Sequence, residues 1–361
     1  MGIVAANRQY EAWLIAQLKG EFVKPDLVRK HKKMTDSAFS FLRATYWRWA
    51  ETILDICPDA ATAPALLAVG DIHLENFGTW RDREGRVVWG INDYDEAAEM
   101  PYILDVIRLA ASAVLAGRRD GLSLSVICKN VFDGYARGID APRACILDRD
   151  HVKMRKRFVV TEAERARFWD KIGAAHTQAL ADKKKPKPPW RKLFAAALPE
   201  PMPLDYWQRT AGTGSLGRPR WVAYGSWRNG PLLREGKALA ASGWVRAQGG
   251  PAAFRLLEIA GGAHRSPDPW YNVSGTLLVR RLSPNNHKVD LAAQPELLNP
   301  DILWAMGRDL AAAHLSEPGR RAAVAKHLAV IRKNKNWFRD SVENAAKAVS
   351  REYAEWTKSA R

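Results

Sequence analysis

Apolar residues recur at helical spacing over residues 39–56, in the run FSFLRATYWRWAETILDI, and predict one buried helix ended by Pro58 and Asp59. Residues 102–116 (YILDVIRLAASAVLA) predict a second apolar helix. Between them, Leu66-Leu67-Ala68-Val69 and Arg86-Val87-Val88-Trp89-Gly90-Ile91 are short apolar runs bounded by glycine or a turn-like Asp82-Arg83-Glu84-Gly85, and they predict strands. Residues 8–33 are expected to form a helix followed by a basic connector, and helical patterning continues to about residue 181. The stretch 183–192 (KKKPKPPWRK) has no periodicity and is expected to be an exposed linker. Residues 205–282 carry glycine clusters and short apolar runs, a small β-rich texture, and from residue 299 onward the pattern is helical again. These shifts divide the chain into 1–182, a basic Pro-rich linker 183–204, a β-rich unit 205–284 and a helical return 285–361.

Composition narrows the class. With 361 residues and 47% hydrophobic content, the chain can bury a substantial core. Fifty-six Lys and Arg against 39 Asp and Glu give a net charge of +17, a field that attracts nucleic acid, anionic membranes or phosphorylated small molecules. Cys57, Cys128 and Cys145 form no CxxC pair and no disulfide framework, so a reduced, cytoplasmic protein is expected. The first residues lack the pattern of a signal peptide, Ala6 breaks a myristoylation motif, and no apolar run is long enough for a membrane span.

The segment Gly-Asp-Ile-His-Leu-Glu-Asn-Phe-Gly at 70–78 falls between the two strand candidates, on a loop. Asp71 and Asn76 have the Asp-x-x-x-x-Asn separation of a kinase catalytic loop. One carboxylate there meets an acceptor hydroxyl, while an amide oxygen one turn away holds Mg²⁺. A second metal carboxylate is required at the end of the following strand, and Asp93 in Gly-Ile-Asn-Asp-Tyr-Asp-Glu-Ala supplies it. His73 is the second catalytic candidate, with support of the loop as its other reading. Asp95 and Glu96 are expected to cap the next helix, and Asp105 to tie down the catalytic loop. Asp71-Ile72-His73 also opens like a dinuclear metallophosphoesterase, but the later Gly-Asp-x-x-Asp and Gly-Asn-His of that class do not occur.

A nucleotide-binding part is then sought after the linker. Gly212, Gly214 and Gly217 have G-x-G-x-x-G spacing, with Ser215 among them, and let backbone N–H groups approach phosphates. The next segment, Arg220-Trp221-Val222-Ala223-Tyr224, reads as a strand rather than the helix of a dinucleotide fold. Lys237, some twenty residues on at the end of a short strand, is the expected phosphate lysine, and Glu258 its expected helical partner. Residues 277–284 would lead into a hinge, with adenine-contacting backbone near Arg281 and Ser283.

The three segments 70–78, 91–97 and 104–110, in that order, resemble the catalytic region of the aminoglycoside phosphotransferase and choline kinase branch of protein-kinase-like enzymes. Together with the Phe41-Leu42-Arg43 helix, the glycine segment, the Lys strand, an Arg-Arg-Leu-Ser-Pro run and a helix bearing Ala311-Ala312-Ala313-His314, the chain resembles a bacterial family of uncharacterised proteins, domain-of-unknown-function family 2252, over roughly residues 30–316. The resemblance implies an α+β, protein-kinase-like two-lobe fold in circularly permuted order, with a mostly helical catalytic lobe and a small β-rich nucleotide lobe after it in sequence. It implies ATP and Mg²⁺ as cofactors and phosphoryl transfer to a small-molecule hydroxyl. Nucleotidyl transfer or a nucleotide-binding pseudokinase is the alternative within the same fold. A basic nucleic-acid-binding protein is the alternative of another class, supported by 183–192, by the basic run 151–157 and by the C-terminal helix, though no nucleic-acid-binding signature accompanies them. The basic balance points to an anionic acceptor rather than a cationic antibiotic.

Overall fold

The computed structural model describes residues 1–117, 122–148 and 151–359. The expected helical run to residue 181 and the final unit to 361 include residues 118–121, 149–150 and 360–361, which lie outside the described residues. The chain begins with α1 (Ile3–Gln17), α2 (Lys24–Asp36), α3 (Ala38–Ala44) and α4 (Tyr46–Ile56). Then come β1 (Ala65–Ala68), β2 (Phe77–Arg81), β3 (Val87–Ile91) and β4 (Ala98–Pro101), followed by α5 (Ile103–Leu115), α6 (Leu124–Asp140), β5 (Cys145–Ile146), α7 (Val152–Phe158), α8 (Glu162–Asp182) and α9 (Pro188–Ala196). The rest is β6 (Asp205–Gln208), β7 (Arg220–Trp227), β8 (Gly230–Ala238), α10 (Gly243–Gln248), α11 (Leu256–Ala260), β9 (Asn272–Ser274), β10 (Leu277–Arg281), α12 (Pro300–His314), α13 (Arg321–Lys333) and α14 (Lys335–Ser359). The class is α+β. No described helix is long and apolar enough to cross a membrane.

The helical half is built around α5, whose residues are buried on all sides from Ile103 to Ala113, as expected of a helix apolar all round. The helix α12 crosses α6 at small residues. A Cβ on Gly134 would lie 2.0 Å from the Trp304 carbonyl oxygen, and one on Gly307 would lie 2.2 Å from that of Val131. The two backbones touch because nothing but hydrogen stands between them, and α12 thereby returns the end of the chain to its first half. The longest helix, α14, lies across α2, α3, α4, α5 and α6.

The β-rich half is one antiparallel sheet in the order β6-β7-β8-β10-β9. Alternation divides its residues between two faces. Gly236 lies against Trp190 and Phe194 of α9, whereas its neighbours Glu235 and Lys237 face the helical half.

The basic connector expected after the first helix is itself helical, α2. Residues 39–56 are two helices, not one. Thr45 breaks the run at φ −126°, ψ 36°. Its hydroxyl donates to the Phe41 carbonyl at 2.7 Å, and Arg108 Nη2 donates to that of Leu42 at 2.9 Å. The carbonyls at the end of α3 thus find partners outside the helix. The basic linker is only partly a linker. Its Pro188 and Pro189 open α9 in the first turn, where a missing N–H costs nothing. Trp190, Leu193 and Phe194, at positions i, i+3 and i+4, are buried against the sheet. A window ending at Lys192 cuts this apolar stripe in half, which hides its period. The strand β2 is an addition to the sequence reading.

Candidate active site

Strand β1 ends at Ala68 and leads through Val69 to Gly70, whose φ is +82°. A Cβ there would meet the Glu96 carbonyl at 2.5 Å and the Tyr46 hydroxyl at 2.7 Å. Glycine is therefore required both by conformation and by space. The fully buried Asp105 of α5 fixes this turn. Its Oδ2 accepts from the Val69 N–H at 2.7 Å, and its Oδ1 accepts from the Gly70 N–H at 3.1 Å. Behind it, His314 Nε2 lies 3.0 Å from Asp105 Oδ2, and Tyr135 Oη lies 2.8 Å from His314 Nδ1. The expected role of Asp105 as the anchor of this loop is what the geometry displays.

Asp71 is the next residue. Its Oδ1 accepts from Arg108 Nη2 at 2.5 Å, and the Arg108 guanidinium lies over the Tyr46 and Trp49 rings, 5.0 Å from each centroid. Burial pushes the Asp71 carboxyl up to about 7, against the pull of Arg108. His73 caps the short turn 74–76, with Nδ1 accepting from the Glu75 N–H at 3.1 Å. Burial, Arg43 and Arg108 hold its ring well below the usual histidine range, so it is neutral. It works as a support of the loop and still lines the cavity. Asn76 donates from Nδ2 to the Asp71 carbonyl. Among the described residues no donor occupies its Oδ1.

Asp93 and Asp95 flank Tyr94 just beyond β3. Lys237 of β8, itself buried, reaches both, with Nζ 3.4 Å from Asp93 Oδ1 and in contact with Asp95 Oδ2. Burial opposes the charge of Asp93, but Lys237, Lys288, Arg280 and Arg220 together hold it well below the usual carboxylate range. Burial and the nearby Asp93 raise Asp95. Asp95 and Glu96 do not cap the next helix. Arg218 Nη1 is 3.6 Å from Asp95, and its Nη2 is 2.8 Å from Glu96 Oε1. Lys237 thus pairs with Asp93 and Asp95 and not with the expected Glu258. Glu258 sits on α11, more than half exposed, and pairs with Arg255 at 2.6 Å. A five-residue helix whose glutamate is engaged by the arginine three residues before it does not reach the sheet.

The glycine segment forms the loop between β6 and β7. Gly214 comes down on the catalytic loop, where a Cβ would meet the Arg43 carbonyl at 2.8 Å and Asp71 Oδ2 at 3.3 Å. Gly212 has φ +79°, and Ser215 Oγ accepts from Arg220 Nη2 at 2.6 Å. Gly217 turns away toward Phe22, and its carbonyl accepts from the Val23 N–H at 3.0 Å. The result is a cavity of about 330 Å³ lined by Asp71, His73, Asn76, Asp93, Gly212, Gly214 and Ser215, with Lys237 packed behind Asp93. Those candidates are brought together from segments far apart in sequence; Glu258 is not among them.

The same cavity contains residues that sequence reasoning missed: Arg43, Arg209, Arg218, Arg220, Arg280 and Lys288. For Arg220 and Arg280 the signal is a charged residue inside a strand pattern that should be apolar, as at Glu235 and Lys237; the other four lie outside strands and carry no such signal. Three guanidiniums converge on Glu235, and although burial opposes its charge they hold it well below the usual range. Among the described residues no group of three or more His, Cys, Asp or Glu is arranged to cage a metal. Mg²⁺ bound with nucleotide phosphates needs only one or two carboxylates. The ionised Asp93 and the unoccupied Oδ1 of Asn76 suit that demand.

Residues 23–187 match the model of a family described as "Uncharacterized protein conserved in bacteria (DUF2252)". The match covers the stretch that carries the Asp71 loop, Asp93 and Asp105, and it stops before the five-stranded sheet. No curated protein and no solved structure matches the chain.

Proposed function

We propose that the protein is an ATP- and Mg²⁺-dependent phosphotransferase acting on a small-molecule hydroxyl, on a kinase-like fold whose two lobes occur in permuted order. One observation carries this reading. Asp71, Asn76, Asp93, Lys237 and the glycine loop line or back a single cavity, although Asp93 and Lys237 stand 144 residues apart in sequence. A glycine loop between the first two strands of the sheet and a lysine on the third is also the arrangement of a kinase nucleotide lobe.

In this reading Arg108 fixes Asp71 by one oxygen and leaves Oδ2 toward the cavity. Asp71 takes the acceptor's hydroxyl proton as the new oxygen–phosphorus bond forms and the bond to the leaving ADP breaks. Asp93 and Asn76 Oδ1 would hold Mg²⁺, which neutralises phosphate charge when bound. Lys237, freed in part from Asp93, binds the phosphates, and the glycine loop covers them. Catalysis then comes from positioning and charge, with little covalent work for the protein.

The test is the identity of the products when full-length protein meets Mg²⁺·ATP and a panel of hydroxyl compounds with and without anionic groups. ADP together with a phosphorylated acceptor supports the reading. Pyrophosphate release would replace it with nucleotidyl transfer, and absence of both binding and turnover would overturn it.

The raised pKa of Asp71 adds a pH dependence. A general base must be ionised, so kcat/KM, which reports the free enzyme, rises with pH through about 7 and then levels. Stability runs the other way. The folded pKa lies above the unfolded 3.8, so this group's contribution is complete below that value and is lost as pH climbs to about 7. A pH–rate profile flat between about pH 6 and 8 would remove Asp71 from the role of base.

A further inference from the structure

One face of the sheet is charged at one end and apolar at the other. Strand register sets Arg220 opposite Lys237 and Arg280 opposite Glu235, while the Arg209 N–H donates to the Arg220 carbonyl at 3.1 Å. All five side chains therefore gather at the cavity end. Glu235, almost wholly buried, accepts from Arg209 Nη1 at 2.5 Å, from Arg220 Nη1 at 2.9 Å and from Arg280 Nη2 at 2.6 Å. Three guanidiniums thus share one carboxylate, and Lys288 stands beside them in the same cavity wall. Lys237 is already answered by Asp93 and Asp95. The four cations Arg209, Arg220, Arg280 and Lys288 still outnumber the two carboxylates they share, Glu235 and, at longer range, Asp93, and gathering like charges out of bulk water is costly unless an anion joins them. Arg209 and Arg280 keep 32% and 20% of their side chains exposed, so a ligand can reach them.

The apolar end of the same face is filled. Phe168, Trp169 and Ile172 of α8 pack on Val222 and Leu233, and the His176 ring stacks on Tyr224 at 4.2 Å. A flat heterocycle entering at this end of the sheet would have to displace this helix.

We propose that the Glu235-anchored cluster is a polyphosphate cradle: Arg209, Arg220, Arg280 and Lys288 hold the phosphate chain of the donor against the sheet, and the donor's base contributes no selectivity there. The inference rests on the phosphotransferase reading only for calling the anion a donor. It departs from the sequence expectation that adenine is read near Arg281 and Ser283. Glu235 sets the geometry by holding three planar forks around one point, and such forks suit phosphate oxygens.

Calorimetric titration of the full-length protein with tripolyphosphate, ATP, GTP and adenosine tests this. Tripolyphosphate should bind within about tenfold of ATP, and ATP and GTP within about threefold of each other, with adenosine not competing. Affinity should fall with added salt, as for any charge-dominated contact. Arg209→Gln and Lys288→Gln, both at the cavity rim, should each weaken tripolyphosphate about tenfold while leaving the ligand-free melting temperature near that of the wild type. A preference for ATP over GTP beyond about tenfold, competition by adenosine, or wild-type tripolyphosphate affinity in both variants would overturn the cradle. Failure to bind any phosphate chain would overturn it too. The two readings separate cleanly. If tripolyphosphate binds as described while ATP is never consumed, the phosphotransferase falls and the cradle stands. If ATP is consumed with strong base selectivity, the reverse holds.

Discussion

Asp93→Ala should yield a folded protein whose Mg²⁺-dependent ATP consumption drops by about two to four orders of magnitude, the range lost with a single charged group acting on the reacting centre. The fold should persist for an electrostatic reason. Asp93 is a quarter exposed and shares Lys237 with Asp95. Removing Asp93 removes a like charge that pushes Asp95 upward, so Asp95 ionises more readily and keeps Lys237 paired. Asp93 also faces Lys288, Arg280 and Arg220, which hold it ionised, so a loss of about 0.5–3 kcal/mol is expected, the range of most single substitutions. Loss of turnover without loss of fold separates a metal-holding carboxylate from a structural one. A steady-state ADP assay beside a thermal melt reads both quantities. Turnover at the wild-type rate in Asp93→Ala would sink the assignment, whatever the melt reports.

The residues of the catalytic loop are legible in the sequence because their relation is local. Asp71, His73 and Asn76 lie within one turn-rich segment, and a fixed spacing there translates directly into a shared site. Asp93 is legible because the apolar run before it predicts a strand and therefore a strand end. Lys237 is legible by its place in a strand, but its partner is not. Which carboxylate meets it depends on how the sheet sits over the loop after β3, a relation no spacing encodes, and Glu258 is suggested by helix position alone. The arginine cluster is illegible for a related reason. Arg209, Arg220 and Arg280 belong to three different segments, and only strand register and alternation bring them to Glu235. Along the sequence the surplus of positive charge is most visible in the Lys/Pro run and the C-terminal helix, away from the motifs. Part of it instead lines the cavity. The fold errors have the same character. The turn at Thr45 depends on Arg108 reaching across from α5, and the burial of Trp190 depends on Gly236 leaving room for it.

Asp105→Ala is expected to destabilise the protein by about 3–5 kcal/mol, the cost of removing one member of a buried charged network. The carboxylate is completely buried and answers the Val69 N–H, the Gly70 N–H and His314. Alanine leaves two backbone donors and one ring nitrogen without partners in a space closed to solvent, which is where an unmade hydrogen bond costs most. Asparagine should cost less, about 1–3 kcal/mol. With its oxygen in the place of Oδ2 it still accepts from the Val69 N–H and meets His314 Nε2, but its amide nitrogen then stands where Oδ1 was and the Gly70 N–H faces a donor. The order wild type, Asn, Ala in urea midpoint is therefore fixed by donor–acceptor matching and not by volume, since Asp and Asn are nearly isosteric. Activity adds a second axis. Gly70 immediately precedes Asp71, so a turn released from Asp105 moves the proposed base itself. Displacements of about 1 Å can lower rates a hundredfold. In Asp105→Asn, below its unfolding midpoint, turnover should thus fall by more than the unfolded fraction accounts for. Equal midpoints for all three proteins would show that the loop is held by something other than this carboxylate. Turnover that tracks the folded fraction alone would show that Asp105 stabilises the fold without positioning Asp71.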